Sequence, residues 1–155
     1  MNERKYFDYA ATTPLDERVF KAMQPYWTEI FGNPSSVHSF GQQADHALEE
    51  ARRSVARLLN ARPDEIVFTS GGSESDNLAL RGTALARREQ NGANHLLISP
   101  VEHHAVSHTA RQLADQSGFE LEFVPVDEFG RVSARDVAER LRPTTAVVSV
   151  VYANN

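Results

Sequence analysis

Cysteine is absent from all 155 residues, which excludes disulfides and thiolate metal sites within this chain. Any thiol chemistry has to come from outside it. Lysine is almost absent as well, with Lys5 and Lys21 the only two. There is no apolar leader after the polar stretch Met1 to Lys5 and no apolar run long enough to span a bilayer, so a cytoplasmic protein with no membrane association is expected. An excess of positive charge is also missing. The net charge of -5 argues against a nucleic-acid binder, which concentrates Lys and Arg on one face. Fixed repeats and low-complexity tracts are absent. What remains, 41% hydrophobic and 24% charged residues, is the composition of a globular protein with a real core, and one domain is the default count at this length.

The chain opens with a short aromatic segment, Tyr6 to Tyr9, broken by Thr12-Thr13-Pro14 before a helix from Asp16 to about Phe31. Gly32-Asn33-Pro34-Ser35-Ser36 has the composition of a loop. From about Gln42 to Asn60, Ala44, Leu48, Ala51, Val55, Leu58 and Leu59 recur at helical spacing between charged residues. The period then changes. Glu65 to Thr69 and His95 to Ser99 read as strands, each followed by a helix, the first from about Ser73 and the second from about His103 to Gln116 with Gly118 closing it. A strand from Glu120 to Pro125 leads through a turn at Asp127 to Gly130 to a helix capped by Ser133, with Asp136 at its acidic third position. Thr145 to Val151 is the most apolar strand and is expected at the centre of the sheet, buried on both faces. Strands alternating with helices predict an α/β fold with a mainly parallel sheet.

Three places carry candidate chemistry. In Thr69-Ser70-Gly71-Gly72-Ser73-Glu74-Ser75, two glycines between a strand and a helix let backbone N–H groups approach a ligand at the positive helix end, a cradle for phosphate. No lysine stands at Walker spacing, so a small phosphate monoester fits better than a nucleoside triphosphate. A purely structural reading stands beside it: the glycines end the strand, and Ser73 caps the helix with Asp76 completing a capping box. Glu102-His103-His104, with His108, follows a strand end, where α/β sheets bind ligands. An imidazole there offers a flat face for stacking and a nitrogen that moves protons near neutral pH. His104 and His108 have metal-ligand spacing, but no third ligand accompanies them and no metal is expected. Asn154 and Asn155 close the last strand at the same sheet edge; an amide there can hold a phenolic oxygen, or serve simply as a turn residue.

Together, Phe7-Asp8-Tyr9-Ala10-Ala11-Thr12-Thr13-Pro14, Gly32 to Ser36, Phe68 to Asn77, Glu102-His103 and Asn154-Asn155 closely resemble the cysteine desulfurases of the class V aminotransferase group. The resemblance implies a fold-type I pyridoxal 5'-phosphate enzyme, normally a homodimer. It removes sulfur from L-cysteine, releases L-alanine and passes a persulfide to an iron-sulfur scaffold or another sulfur acceptor protein. By similarity, Gly72 and Ser73 bind the cofactor phosphate, His103 stacks on the pyridine ring and assists proton transfer, and Asn155 hydrogen-bonds the ring hydroxyl. Asn33 and the Ala11 to Thr13 arm look like motif residues near the dimer and substrate region. A selenocysteine lyase or aminotransferase of the same class, or a non-catalytic module docking on an intact paralogue, are the competing implications.

The family's pattern continues beyond the two asparagines with an aspartate for the pyridine nitrogen, a cofactor-bearing lysine in a Ser-x-His-Lys motif, a carboxylate-binding arginine and a persulfide cysteine. None of these is among the 155 residues. The expectation is therefore an N-terminal arm and the first half of a large cofactor domain over residues 1–155, truncated, split or completed by a second chain, and inactive alone.

Overall fold

The computed structural model describes residues 4–154. The chain forms two compact units, residues 1–68 and 69–155. In the first, helix α1 spans Glu17–Met23, with the Asp16 carboxylate accepting from the Arg18 N–H as N-cap. The helix expected to run on to Phe31 stops there. Pro25 has no N–H to continue the ladder and instead starts a separate turn, α2, Pro25–Thr28. Helix α3, Ser39–Leu59, is entered through His38, whose Nδ1 accepts from the Gly41 N–H, and closes on Asn60 in the left-handed conformation.

The loop Gly32 to Ser36 packs hard against the start of α3. A Cβ on Gly41 would lie 2.1 Å from the Ser36 carbonyl oxygen, and one on Gly32 would lie 2.1 Å from that of Phe40. The apparent strand at Glu65 to Thr69 is not one. Pro63–Glu65 forms a 3-10 turn, and residues 66–69 pair with no strand among the described residues. Arg52 of α3 serves two of their groups: its Nη1 donates to the Ile66 carbonyl at 2.5 Å, and its guanidinium lies over the Phe68 ring.

The second unit carries the sheet. Helix α4, Gly72–Asn91, precedes strand β1, His95–Ile98; helix α5, His104–Ser117, precedes β2, Glu120–Phe123; helix α6, Ala134–Arg140, precedes β3, Thr145–Ser149. The three strands are parallel in the order β2-β1-β3. The α/β class therefore holds. The centre of the described sheet, however, is β1 and not the more apolar β3: all four β1 residues are buried, whereas Val148 and Val150 stay partly exposed at the edge. Leu96 and Ile98 point to the face on which Leu80, Ala84, Val106, Ala110 and Leu113 of α4 and α5 pack. Gly92 and Gly118 end those helices with positive φ, where a side chain would be strained. Ser133 caps α6 as its sequence predicts. No helix among the described residues is long and apolar enough to cross a membrane.

Candidate functional site

Helix α4 runs antiparallel to the strands, so its N-terminus lies toward their C-terminal edge, the edge from which the chain leaves β1 to begin α5. Both helix starts therefore face the same region. At α4 the N-cap is Gly71, not Ser73, and no side chain caps the helix. The first-turn N–H groups of Gly72, Ser73 and Glu74 thus point out of the helix end with its partial positive charge. A Cβ added at Gly71 or Gly72 would meet no atom within 4 Å, so open space lies in front of the turn.

Most of the nearby hydroxyls are committed to the turn itself. Thr69 Oγ1 donates to the Gly71 carbonyl at 3.1 Å and lies 2.7 Å from Ser75 Oγ, which also reaches Gly71 O at 3.2 Å. Ser70 donates both its N–H and its hydroxyl to Glu74 Oε2. Those two bonds, the hydroxyl's first, hold the Glu74 carboxyl below the ordinary glutamate range. Ser73 alone of the three serines keeps a hydroxyl without a partner in the turn. Three free N–H groups, one free hydroxyl and a glycine-bared approach are the donor set of a phosphate monoester, and the residues present fit that group.

His103 is exposed and is the N-cap of α5, where its Nδ1 accepts from the Ala105 N–H at 3.1 Å. That bond requires a lone pair on Nδ1, so the neutral ring carries its hydrogen on Nε2, the nitrogen left free for other partners. The ring of His104 stacks on that of His108, 4.9 Å apart, and the three histidines gather no metal-binding group of three among the described residues. Upstream of them, the buried Ser99 hydroxyl donates to Glu102 at 3.0 Å, shaping the turn that delivers His103.

Beyond β3, Asn154 Nδ2 donates to the Val101 carbonyl at 2.7 Å, tying the segment after β3 to the segment after β1. Asn155 lies outside the described residues. Gly72, Ser73 and His103 are thus brought to one edge of one unit. Two residues without a role in the sequence reading link them: Asn77 of α4 and Thr109 of α5, joined at 2.7 Å. The signal for Thr109 was present, since it interrupts the apolar face formed by Val106, Ala110 and Leu113, and a polar group in such a face needs a partner.

Comparison with known proteins agrees on a single group. The family described as Aminotransferase class-V matches residues 5–155. The chain is 51% identical over 150 residues to cysteine desulfurase IscS 1 of Archaeoglobus fulgidus, covering 97% of this chain and 38% of that protein. It superposes on a solved NifS-like protein with a TM-score of 0.90 at 38% identity, covering 98% of this chain and 41% of the other. It also superposes on SspA in complex with cysteine, with a TM-score of 0.86 at 40% identity, covering 95% and 42%. The chain spans about two fifths of the length of the proteins it matches.

Proposed function

The chain belongs to the aminotransferase class-V family, and from that premise we propose that it is the N-terminal, cofactor-phosphate-binding portion of a cysteine desulfurase. Residues 1–155 then supply the arm and the first half of a pyridoxal 5'-phosphate domain, with L-cysteine as substrate. The observation that carries this reading is the uncapped, glycine-bared start of α4 at Gly72 and Ser73, facing the same sheet edge as His103.

In this reading the N–H groups of Gly72 and Ser73 and the Ser73 hydroxyl would hold the phosphate dianion, favoured by the helix end. The His103 ring would stack on the pyridine face and assist proton transfer from the side of its free Nε2–H. Asn155 would hydrogen-bond the ring hydroxyl. When bound, pyridoxal phosphate supplies an electron sink for the carbanion of an amino-acid substrate. The overall transfer breaks the Cβ–S bond of L-cysteine, and the sulfur joins an acceptor thiol R–SH as R–S–SH while the carbon skeleton leaves as L-alanine. No residue among the 155 can be that thiol, because cysteine is absent. An acceptor cysteine and the cofactor-bearing lysine come from other sequence. A homodimer in the cytoplasm that hands sulfur to an iron-sulfur scaffold completes the proposal.

The test is to purify the protein from cells that produce it, measure its intact mass and visible absorption, and then supply L-cysteine with a thiol. Equimolar alanine and sulfane sulfur, from a protein absorbing at about 410 to 430 nm as a bound pyridoxal group does, are expected. A preparation that carries the absorbing cofactor but releases no alanine from L-cysteine would contradict the desulfurase assignment.

A further inference from the structure

We propose, resting on the cofactor reading above, that Asn77 and Thr109 are positioning residues that fix the distance between the phosphate-binding turn and the ring-binding histidine. Phosphate and ring are two ends of one molecule, joined by a short CH2–O arm that bounds the distance between them. Gly72 and Ser73 begin α4, whereas His103 begins α5, so the spacing between the two ligand-holding points depends on how two separate helices are docked. Their shared surface is mainly apolar, built from Leu80, Ala84, Val106, Ala110 and Leu113, with Arg81 donating to Gln112 and Arg88 to the Ser117 carbonyl farther from the site. Apolar contact is non-directional and by itself allows one helix to slide along the other.

Asn77 and Thr109 oppose that movement at the end of the helices where Ser73 and His103 stand. The Asn77 amide nitrogen donates to the Ser73 carbonyl at 2.8 Å and reaches the Ala105 carbonyl at 3.5 Å. Carbonyls only accept, so the amide orientation is determined, and Oδ1 is the atom that receives the Thr109 hydroxyl at 2.7 Å. Thr109 is only 5% exposed, and a sliding movement would leave its hydroxyl buried and unpaired, which is costly. The connection continues to the ring residue, because the N–H of Ala105 is the donor that holds His103 Nδ1. A continuous path of hydrogen bonds thus runs from Ser73 through Asn77 and Ala105 to His103.

The test separates positioning from plain stability by using three probes on the wild-type chain and its variants: inorganic phosphate, pyridoxal and pyridoxal 5'-phosphate. Thr109→Val keeps the side-chain shape and removes the donor; Thr109→Ser restores it. Thr109→Val is expected to weaken pyridoxal 5'-phosphate by roughly tenfold, the scale on which loss of supporting partners weakens a site, while inorganic phosphate binds as in wild type. Thr109→Ser is expected to recover the affinity. Asn77→Ser, read with the same probes, serves if Thr109→Val does not fold. Equal affinity for pyridoxal 5'-phosphate in wild type and Thr109→Val, or a parallel loss for phosphate and cofactor, overturns the proposal. Failure of the wild type to bind pyridoxal 5'-phosphate at all overturns the cofactor reading itself, and this inference falls with it.

Discussion

Glu74 Oε2 accepts two hydrogen bonds from Ser70, the backbone N–H at 2.7 Å and the hydroxyl at 2.6 Å. The carboxylate sits in the first turn of α4 and reaches back past the N-cap, so it folds the turn over without occupying the N–H groups of Gly72 and Ser73. Because its folded pKa is lowered, its contribution is present above the ordinary glutamate value and disappears as pH falls through the lowered one. A carboxyl titration by NMR is expected to give a midpoint below that of free glutamate, returning toward it in Ser70→Ala. A wild-type midpoint at or above the ordinary value would contradict the pairing.

His103 has a nitrogen that caps α5 and, in the proposed reading, a ring that stacks on the cofactor, and the two are separable. His103→Ala should lose the cap and about 1 kcal/mol of stability, the usual cost of removing an N-cap. His103→Asn should keep the cap, because a short amide oxygen can accept from the same N–H, while still losing the ring. Thermal unfolding close to wild type with weakened pyridoxal binding is the expected pair of results for the asparagine variant. Unchanged pyridoxal binding would remove the ring from the site.

His95 is fully buried at the start of β1. Its Nδ1 lies 2.9 Å from Thr145 Oγ1, which accepts from the Arg142 N–H, and its Nε2 lies 3.3 Å from Glu122 Oε2 without hydrogen-bond geometry. Burial, and then the Arg142 guanidinium, push the imidazole below its ordinary value, against the pull of Glu122 and Glu120. The unfolded chain therefore takes up this proton first, and stability falls as pH drops below the ordinary histidine value near 6.5. Urea unfolding at about pH 7.5 and about pH 5.5 should show a larger loss in wild type than in His95→Gln. An equal loss in both would exclude His95 as the cause.

Gly41 is surrounded by backbone, with the Ser36 and Asn33 carbonyl oxygens at 2.1 Å and 2.8 Å from where a Cβ would stand. Neither can move aside as a side-chain tip could. Gly41→Ala should destabilise the first unit by about 1 to 3 kcal/mol, the range for overpacking, in denaturant unfolding followed by Trp27 fluorescence. A change of a few tenths would mean that the Gly32 to Ser36 loop yields freely.

Local chemistry made much of this legible in advance. Asp16, Ser133 and Gly118 announce helix ends because the atoms that satisfy those ends lie within a few residues. The glycine turn and His103 were visible for the same reason. What depended on distant neighbours was not. An apolar run such as Ala146 to Val151 records burial propensity without recording which strands flank it, and β1 took the centre instead. Ile66 to Phe68 have strand composition but no strand beside them among the described residues, and Arg52, 14 residues before Ile66, satisfies the backbone there. Asn77 and Thr109 stand 32 residues apart, and only the docking of α4 on α5 makes them partners.

The most direct test of the site is a titration of the chain with pyridoxal 5'-phosphate, followed by the backbone amide signals of every residue. Saturable shifts largest at Gly72, Ser73 and Glu74, with a second group at His103 to Ala105, are the predicted result. Shifts confined to the arginine-rich α6 and its flank at Arg140 to Arg142, or no saturable shift anywhere, would contradict the account.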